Sequence, residues 1–337
     1  MKKQQILLVL WVTSKCNLKC KYCYADACMQ GDDMPYETAI AAVEKFKEYP
    51  LKVQFAGGEP LLNFSLVCRI IDYIEKHNYV ATFQLQTNGT LIDESIAKGL
   101  KKRRVALGVS LDGQPQINEW LRGGTKLTVN GIRNLANQNV KVNVNTVVTA
   151  YNVKELHKLP DFVLYFGNVA GIGLDLLRSA GRGKKDINGI CPSEPEELRK
   201  AMIMMHHRCE DLYHMTGVRI HLREVSEAKQ RLRFSQQTKE YCYASCGRSI
   251  VILPNGDVYP CGSLIEDEDY FMGNIHGELL KPIALKYKDR SSCTNCRYQV
   301  YCPGSCPSRI ITNQIVDISD SLDCVMRKTA FEITEKI

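Results

Sequence analysis

No apolar run in this sequence approaches the ~20 residues that a membrane-spanning helix needs, and the strand-like opening Ile6-Leu7-Leu8-Val9-Leu10-Trp11-Val12 lacks a cleavage-site pattern. Both absences argue against export and membrane insertion, and predict a cytoplasmic protein. A strong excess of one charge is also missing. The 44 basic and 37 acidic residues leave a net charge of +7 with no block of like sign, so charge gives no case for a nucleic-acid partner. Internal repeats and low-complexity tracts are absent. What remains, 337 residues that are 45% hydrophobic and 24% charged, is enough for one large core plus a smaller module.

What the sequence does have is 15 cysteines. A long chain without an export signal is made where thiols stay reduced, so metal ligation is a better reading than disulfides. The distribution supports this. Three cysteines crowd into residues 16 to 23 and eight fall between residues 242 and 324, while Cys28, Cys68, Cys191 and Cys209 lie outside these patterns.

Up to about residue 220, β-rich apolar runs alternate with stretches of helical period. The runs are Ile6 to Thr13, Val53 to Ala56, Thr82 to Gln86, Val105 to Leu111, Val140 to Val148 and Gly171 to Leu177. Helices are predicted at Tyr36 to Glu48, Phe64 to His77, Asp93 to Lys102, Leu127 to Gln138 and Val153 to Phe166. Regular alternation implies parallel strands with right-handed crossovers, and six such units fit an α/β partial (β/α)6 barrel. Functional groups should then gather at the C-terminal strand ends. A Gly-Arg-Gly-Lys-Lys loop at 181 to 185 and a helix from Glu194 to about Met215 follow. Beyond residue 240 come short strands, turns and cysteines, with Pro254-Asn255-Gly256-Asp257 as a hairpin turn between Ile250-Val251-Ile252-Leu253 and Val258-Tyr259. This divides the chain into a barrel with connecting helix, 1–220, and a small domain held by metal, 221–337.

Cys16-Asn17-Leu18-Lys19-Cys20-Lys21-Tyr22-Cys23 has the spacing C-x3-C-x2-C directly after the first strand. Three thiolates on one loop can hold three irons of a 4Fe-4S cube and leave the fourth open to a small molecule. The competing reading is a zinc loop with a remote fourth ligand, although zinc sites more often pair C-x2-C halves. At these residues the chain resembles the radical SAM superfamily, whose signature is this loop with an aromatic residue, here Tyr22, before the last cysteine.

Gly57-Gly58-Glu59-Pro60 ends the second strand, where glycines permit close backbone approach and expose carbonyls and the Glu59 carboxylate to a cationic amino group. Within the resemblance this is the site for the methionyl ammonium of S-adenosylmethionine. Thr87-Asn88-Gly89 and Ser110-Leu111-Asp112-Gly113 end the third and fourth strands, and Arg122 follows in Arg122-Gly123-Gly124. The resemblance implies that Ser110 and Arg122 take the methionyl carboxylate and Asn88 the sugar or nearby polar atoms. Turn capping by Asn88 and Ser110, and a surface ion pair for Arg122, are the plainer alternatives. The implied chemistry is one-electron reduction of S-adenosylmethionine to methionine and a 5'-deoxyadenosyl radical that abstracts a substrate hydrogen. The catalytic cluster is thus assigned to Cys16, Cys20 and Cys23, and the cofactor contacts to Tyr22, Gly57, Gly58, Glu59, Asn88, Ser110 and Arg122.

The later cysteines read C-x9-G-x4-C from Cys246 through Gly256 to Cys261, then Cys293-x2-Cys296-x5-Cys302-x3-Cys306, then Cys324. This resembles the seven-cysteine SPASM extension of radical SAM enzymes that modify peptides and proteins. Cys242 makes eight thiols, the number that fully ligates two cubes, against a competing pair of zinc-ribbon knuckles. The resemblance implies an inner cluster on Cys242, Cys246, Cys261 and Cys306 and a distal one on Cys293, Cys296, Cys302 and Cys324. It implies three 4Fe-4S clusters in all, with an electron donor such as flavodoxin or ferredoxin.

Two fully ligated auxiliary clusters suit net-oxidative chemistry. The leading expectation is a maturase that forms a crosslink or thioether in a ribosomally made peptide. Because Cys16 follows a single strand, leader recognition is expected to use a separate protein or another surface. The alternatives are an anaerobic sulfatase-maturing, formylglycine-forming enzyme, a small-molecule dehydrogenase, and a non-catalytic iron-sulfur carrier. For the sulfatase reading, the resemblance calls for an acidic residue directly after Cys261, where this chain has Gly262, with Asp257 and Glu266 only nearby. Cys191 is a candidate hydrogen-atom donor or a small packed residue. His206 and His207 read as ordinary helix residues, and Tyr24 as either core or a neighbour of the catalytic cluster.

Overall fold

In the computed structural model the described residues are 3–184, 189–235, 240–265, 267–286 and 290–335; Lys185 and Glu266 lie outside them. Strands and helices alternate as β1 (Ile6–Thr13), α1 (Tyr36–Phe46), β2 (Leu51–Gly57), α2 (Phe64–Lys76), β3 (Ala81–Thr87), α3 (Glu94–Lys102), β4 (Ala106–Ser110), α4 (Pro115–Leu121), α5 (Thr125–Asn137), β5 (Val142–Val148), α6 (Leu159–Leu164) and β6 (Val169–Leu176). After these come α7 (Pro195–Thr216), β7 (His221–Leu222), α8 (Arg223–Arg233), β8 (Ser249–Ile252), β9 (Val258–Tyr259), α9 (Pro307–Thr312) and α10 (Leu322–Glu335). No described helix is long and apolar enough to cross a membrane.

The strands form one nine-stranded sheet in the order β7-β6-β5-β4-β3-β2-β1-β8-β9. All neighbours are parallel except β8 and β9. Strands added in one direction by crossovers of one hand put their helices on one face and leave the other concave. This is the partial barrel expected from the alternation. The cysteine-rich segment does not start a separate sheet, because Leu7 to Leu10 of β1 pair with Ser249 to Ile252 of β8.

Helix formation follows the apolar spacing. α2 buries Leu66, Val67, Ile70, Ile71 and Ile74 along one stripe against the sheet, each side chain contributing about 1.5–3 kcal/mol. α3 begins where the Asp93 side chain accepts a hydrogen bond from the Ile96 backbone N–H at 2.7 Å. The single helix expected over Val153 to Phe166 is instead a 3-10 turn, Val153–Lys158, followed by α6. Pro160 has no N–H to continue an α-helical ladder from that turn. In β5, Val142, Val144, Thr146 and Val148 are buried under the helices, while Asn143 and Asn145 alternate onto the concave face.

Candidate active site

The loop after β1 is tied down from several directions. Cys16 N–H donates to Cys28 O at 2.7 Å, Lys21 N–H to Leu121 O at 2.9 Å, and Arg182 N–H to Cys23 O at 2.9 Å. The Arg182 guanidinium donates to Cys20 O at 2.8 Å and to Asp26. Cys16 and Cys20 are buried and Cys23 half-buried, and none is in a disulfide. Burial pushes the Cys16 thiol up to about 11; a hydrogen bond from Leu18 N–H opposes the rise, and Cys20, Glu59 and Cys23 add to it. Burial also raises Cys20, opposed by Arg122. Cys16 and Cys20 therefore keep their protons at neutral pH until a metal cation displaces them.

Gly57 and Gly58 are required by the base of this loop. A Cβ at Gly57, whose φ is +136°, would lie 2.0 Å from Thr13 O, and one at Gly58 would lie 2.2 Å from Lys15 O. The close approach is therefore to the chain's own backbone just before Cys16. Glu59 also differs from the expectation that its carboxylate faces a ligand. It is 0% exposed and accepts from Thr87 Oγ1 at 2.6 Å, Asn88 N–H at 2.7 Å and Leu61 N–H at 3.1 Å. Its carboxylate thus joins the ends of β2 and β3, and only the motif's backbone remains for a ligand. Asn88 is similarly engaged: its amide donates to Asn17 Oδ1 at 2.9 Å and its carbonyl accepts from Thr90 N–H at 2.9 Å.

Tyr22 and Arg122 meet at the carboxylate of Asp112. Arg122 Nη1 donates to Tyr22 Oη at 2.6 Å, Tyr22 Oη donates to Asp112, and Arg122 lies 3.7 Å from Asp112 Oδ2. Asp112 is fully buried and also accepts from Val147 N–H at 2.9 Å. Burial raises its pKa, and Arg122 opposes the rise. Burial works against the charge on Arg122, but the neighbouring Cys20, Tyr22 and Asp112 outweigh it and place its pKa above the ordinary arginine value. Only one Arg122 N–H is used by Tyr22, so its planar fork can still take a carboxylate. Ser110, the last residue of β4, is half-buried and its hydroxyl makes no hydrogen bond among the described residues.

Among the later cysteines, Cys242 lies near Cys306 and Cys261, and Cys324 lies near Cys302, Cys293 and Cys296. Atoms packed around the sulfur raise the Cys242 thiol to about 11, although the residue itself is exposed, and Cys306 and Cys261 add to the rise. Arg248 Nε donates to Cys246 Sγ at 3.1 Å. Burial raises Cys324 to about 11, opposed by Lys328 and reinforced by Cys302, Cys293 and Cys296. Those four thiols line one small cavity of about 30 Å³ with Tyr298 and Phe331. Among the described residues, no three His, Cys, Asp or Glu side chains close on a single metal ion. A zinc site would draw its sulfurs to about 2.3 Å from one centre, whereas each cysteine of a cube binds its own iron. Thiolate suits both centres, and it is the donor type that an iron-sulfur cluster takes.

Other candidates are placed less centrally. Tyr24 meets Trp11 edge-on with ring centroids 6.4 Å apart and is 37% exposed. Trp11 in turn lies against Gly262, where an added Cβ would be 2.8 Å from Trp11 Cζ3. Cys191 is half-buried, and its carbonyl accepts from Ala150 N–H at 2.9 Å just beyond β5. His206 is buried on α7. The role of Arg182 was hidden in a segment read only as a loop, since no local pattern shows which carbonyls a side chain will reach.

The sequence profile of the radical SAM superfamily matches residues 12–163. An uncharacterised protein of Methanocaldococcus jannaschii is 32% identical over 76% of this chain and 85% of its own length. A cysteine-type anaerobic sulfatase-maturating enzyme of Clostridium perfringens is 26% identical over 97% of this chain and 95% of its own. The solved structure of native anSMEcpe with bound AdoMet and Cp18Cys peptide superposes with a TM-score of 0.79 at 23% identity, covering 99% of this chain and 97% of that one.

Proposed function

Because the chain belongs to the radical SAM superfamily, with the cysteine-rich C-terminal extension of its SPASM-type members, we propose that it oxidatively modifies a side chain of a ribosomally made peptide or protein. The family's 4Fe-4S cluster and S-adenosylmethionine supply, when bound, one-electron chemistry that abstracts a hydrogen atom. Cys16, Cys20 and Cys23 would hold that cluster. Arg122, fixed by Tyr22 and Asp112, would take the methionyl carboxylate together with Ser110, and the backbone of Gly57 and Gly58 would border the ammonium. Cys242, Cys246, Cys261 and Cys306 would hold an inner auxiliary cluster, and Cys293, Cys296, Cys302 and Cys324 a distal one, for three in all. Two auxiliary clusters beside the barrel suit removal of an electron from the substrate, which favours crosslink or thioether formation. The nearness of Cys242 to Cys261 and Cys306, and the cavity shared by Cys293, Cys296, Cys302 and Cys324, are the observations that support this reading.

Formylglycine formation is a second reading, favoured by the Clostridium perfringens relative. Against it stands Gly262: a side chain there would run into Trp11, so the acidic neighbour expected after Cys261 has neither the residue nor the room. Anaerobically reconstituted protein with S-adenosylmethionine, dithionite and candidate peptides tests both. Loss of two hydrogens by mass spectrometry, with 5'-deoxyadenosine released, is the expected result. Conversion of a sulfatase-derived cysteine to formylglycine would favour the second reading, and no 5'-deoxyadenosine at all would refute both.

A further inference from the structure

The concave face of the sheet is a trough of side-chain amides. Register sets Gln54 beside Gln84 and Gly108 between Gln86 and Asn143. Gln84 Nε2 donates to Gln54 Oε1 at 2.6 Å, Asn145 Nδ2 to Gln86 Oε1 at 2.7 Å, and Arg223 Nη1 to Asn145 Oδ1 at 3.1 Å. Glycine occurs where a side chain would close the trough: a Cβ at Gly108 would meet Gln86 Oε1 at 2.3 Å, and one at Gly173 would meet Arg223 Nη1 at 2.4 Å.

A cavity of about 870 Å³ runs along this face from the N-terminal strand ends, where His221 and Ala106 lie, to Asn145 and Gly173. Asn145 pairs with Ser110, so the inner end of the cavity is one ladder position from the candidate cofactor site. A parallel sheet ordinarily buries both faces, yet Gln86 and Asn143 are exposed here. Their amides each offer a donor and an acceptor, the same pair that a peptide group presents. The volume suits a few residues of chain.

The outer mouth is basic. Arg219, Arg223, Lys229 and Arg233 face it against Glu210 and Glu227. Glu210 is paired with Arg219 at 3.0 Å and Glu227 with Arg327 at 2.7 Å. Lys229 and Arg233, one turn apart on α8, have no ion-pair partner among the described residues.

We propose that the trough takes an extended acidic segment of the substrate, with its peptide groups against the amides and its carboxylates at Lys229 and Arg233. This rests on the peptide reading above. The test is affinity selection on the reconstituted holoenzyme with S-adenosylmethionine, using equimolar pools of synthetic octapeptides with a central cysteine and acidic, neutral or basic flanks. The acidic pool should be retained about tenfold over the basic one, with the preference shrinking as salt rises. Lys229→Glu with Arg233→Glu should reverse it, and the milder Lys229→Gln with Arg233→Gln should abolish it, with iron content as the check of folding. Retention without charge preference, or an acidic preference surviving in both variants, overturns the inference and leaves the peptide reading standing. Failure to retain any pool, by protein that still cleaves S-adenosylmethionine, overturns the peptide reading itself.

Discussion

Glu59 and Asp112 are both fully buried carboxylates, and each is paired by groups at neighbouring strand ends rather than left to a ligand. A buried carboxylate that loses a donor keeps its desolvation cost. Tyr22→Phe removes the hydroxyl that joins Asp112 to Arg122. It should cost about 1–3 kcal/mol of stability in urea and weaken S-adenosylmethionine binding by freeing the guanidinium to swing. Unchanged affinity would show that the network does not orient Arg122. His206 offers a separate test. Burial lowers its pKa below 6.5, with Glu210 opposing and His207, Lys229 and Arg219 reinforcing. The unfolded chain therefore binds the proton first, so this contribution to stability is present above pH 6.5 and lost as pH falls toward the folded value. Urea midpoints between pH 7 and 5.5 should fall less for His206→Gln than for the parent chain.

The element that decides the site is the loop between β1 and α1, and its conformation depends on the end of β2. Gly58→Ala would place a methyl 2.2 Å from Lys15 O, and backbone on both sides has nowhere to move cheaply. Iron per chain should drop by the share of one cube, and S-adenosylmethionine affinity should fall with it. Full iron content and normal affinity would contradict this role. Most elements around the loop were legible: β1 spans Ile6–Thr13 as the apolar run predicts, and α2 ends within a residue of its expected limit. α8 was not legible. Its Arg-Glu-Val-Ser-Glu-Ala-Lys-Gln-Arg-Leu-Arg sequence has few apolar positions, of which Val225 and Ala228 are buried. α10 was hidden among cysteine spacings that drew the reading toward turns.

At the scale of the whole molecule, Arg309 joins the barrel to the cysteine-rich segment. Its Nε donates to Asp323 Oδ2 at 2.8 Å, its other nitrogens reach Tyr241 Oη at 3.0 Å and Asp175 at the end of β6, and it is 3% exposed. Asp323 adjoins Cys324, and Arg309 is three residues beyond Cys306, so one guanidinium links both sets of thiols to the barrel. Arg309→Met should leave Asp323 buried without its partner and cost about 3–5 kcal/mol, seen as a lower melting temperature and loss of iron from the C-terminal segment. By itself the sequence determined the strand-helix alternation, the barrel class and the thiol spacings, because apolar period and ligand spacing are local properties of a chain. The pairing of β1 with β8, the enclosure of Glu59, the meeting of Tyr22, Asp112 and Arg122, and the amide-lined concave face were decided only by tertiary structure. Each brings together groups far apart along the chain, and which distant donor meets which acceptor depends on how the sheet curves and closes rather than on any neighbouring residue.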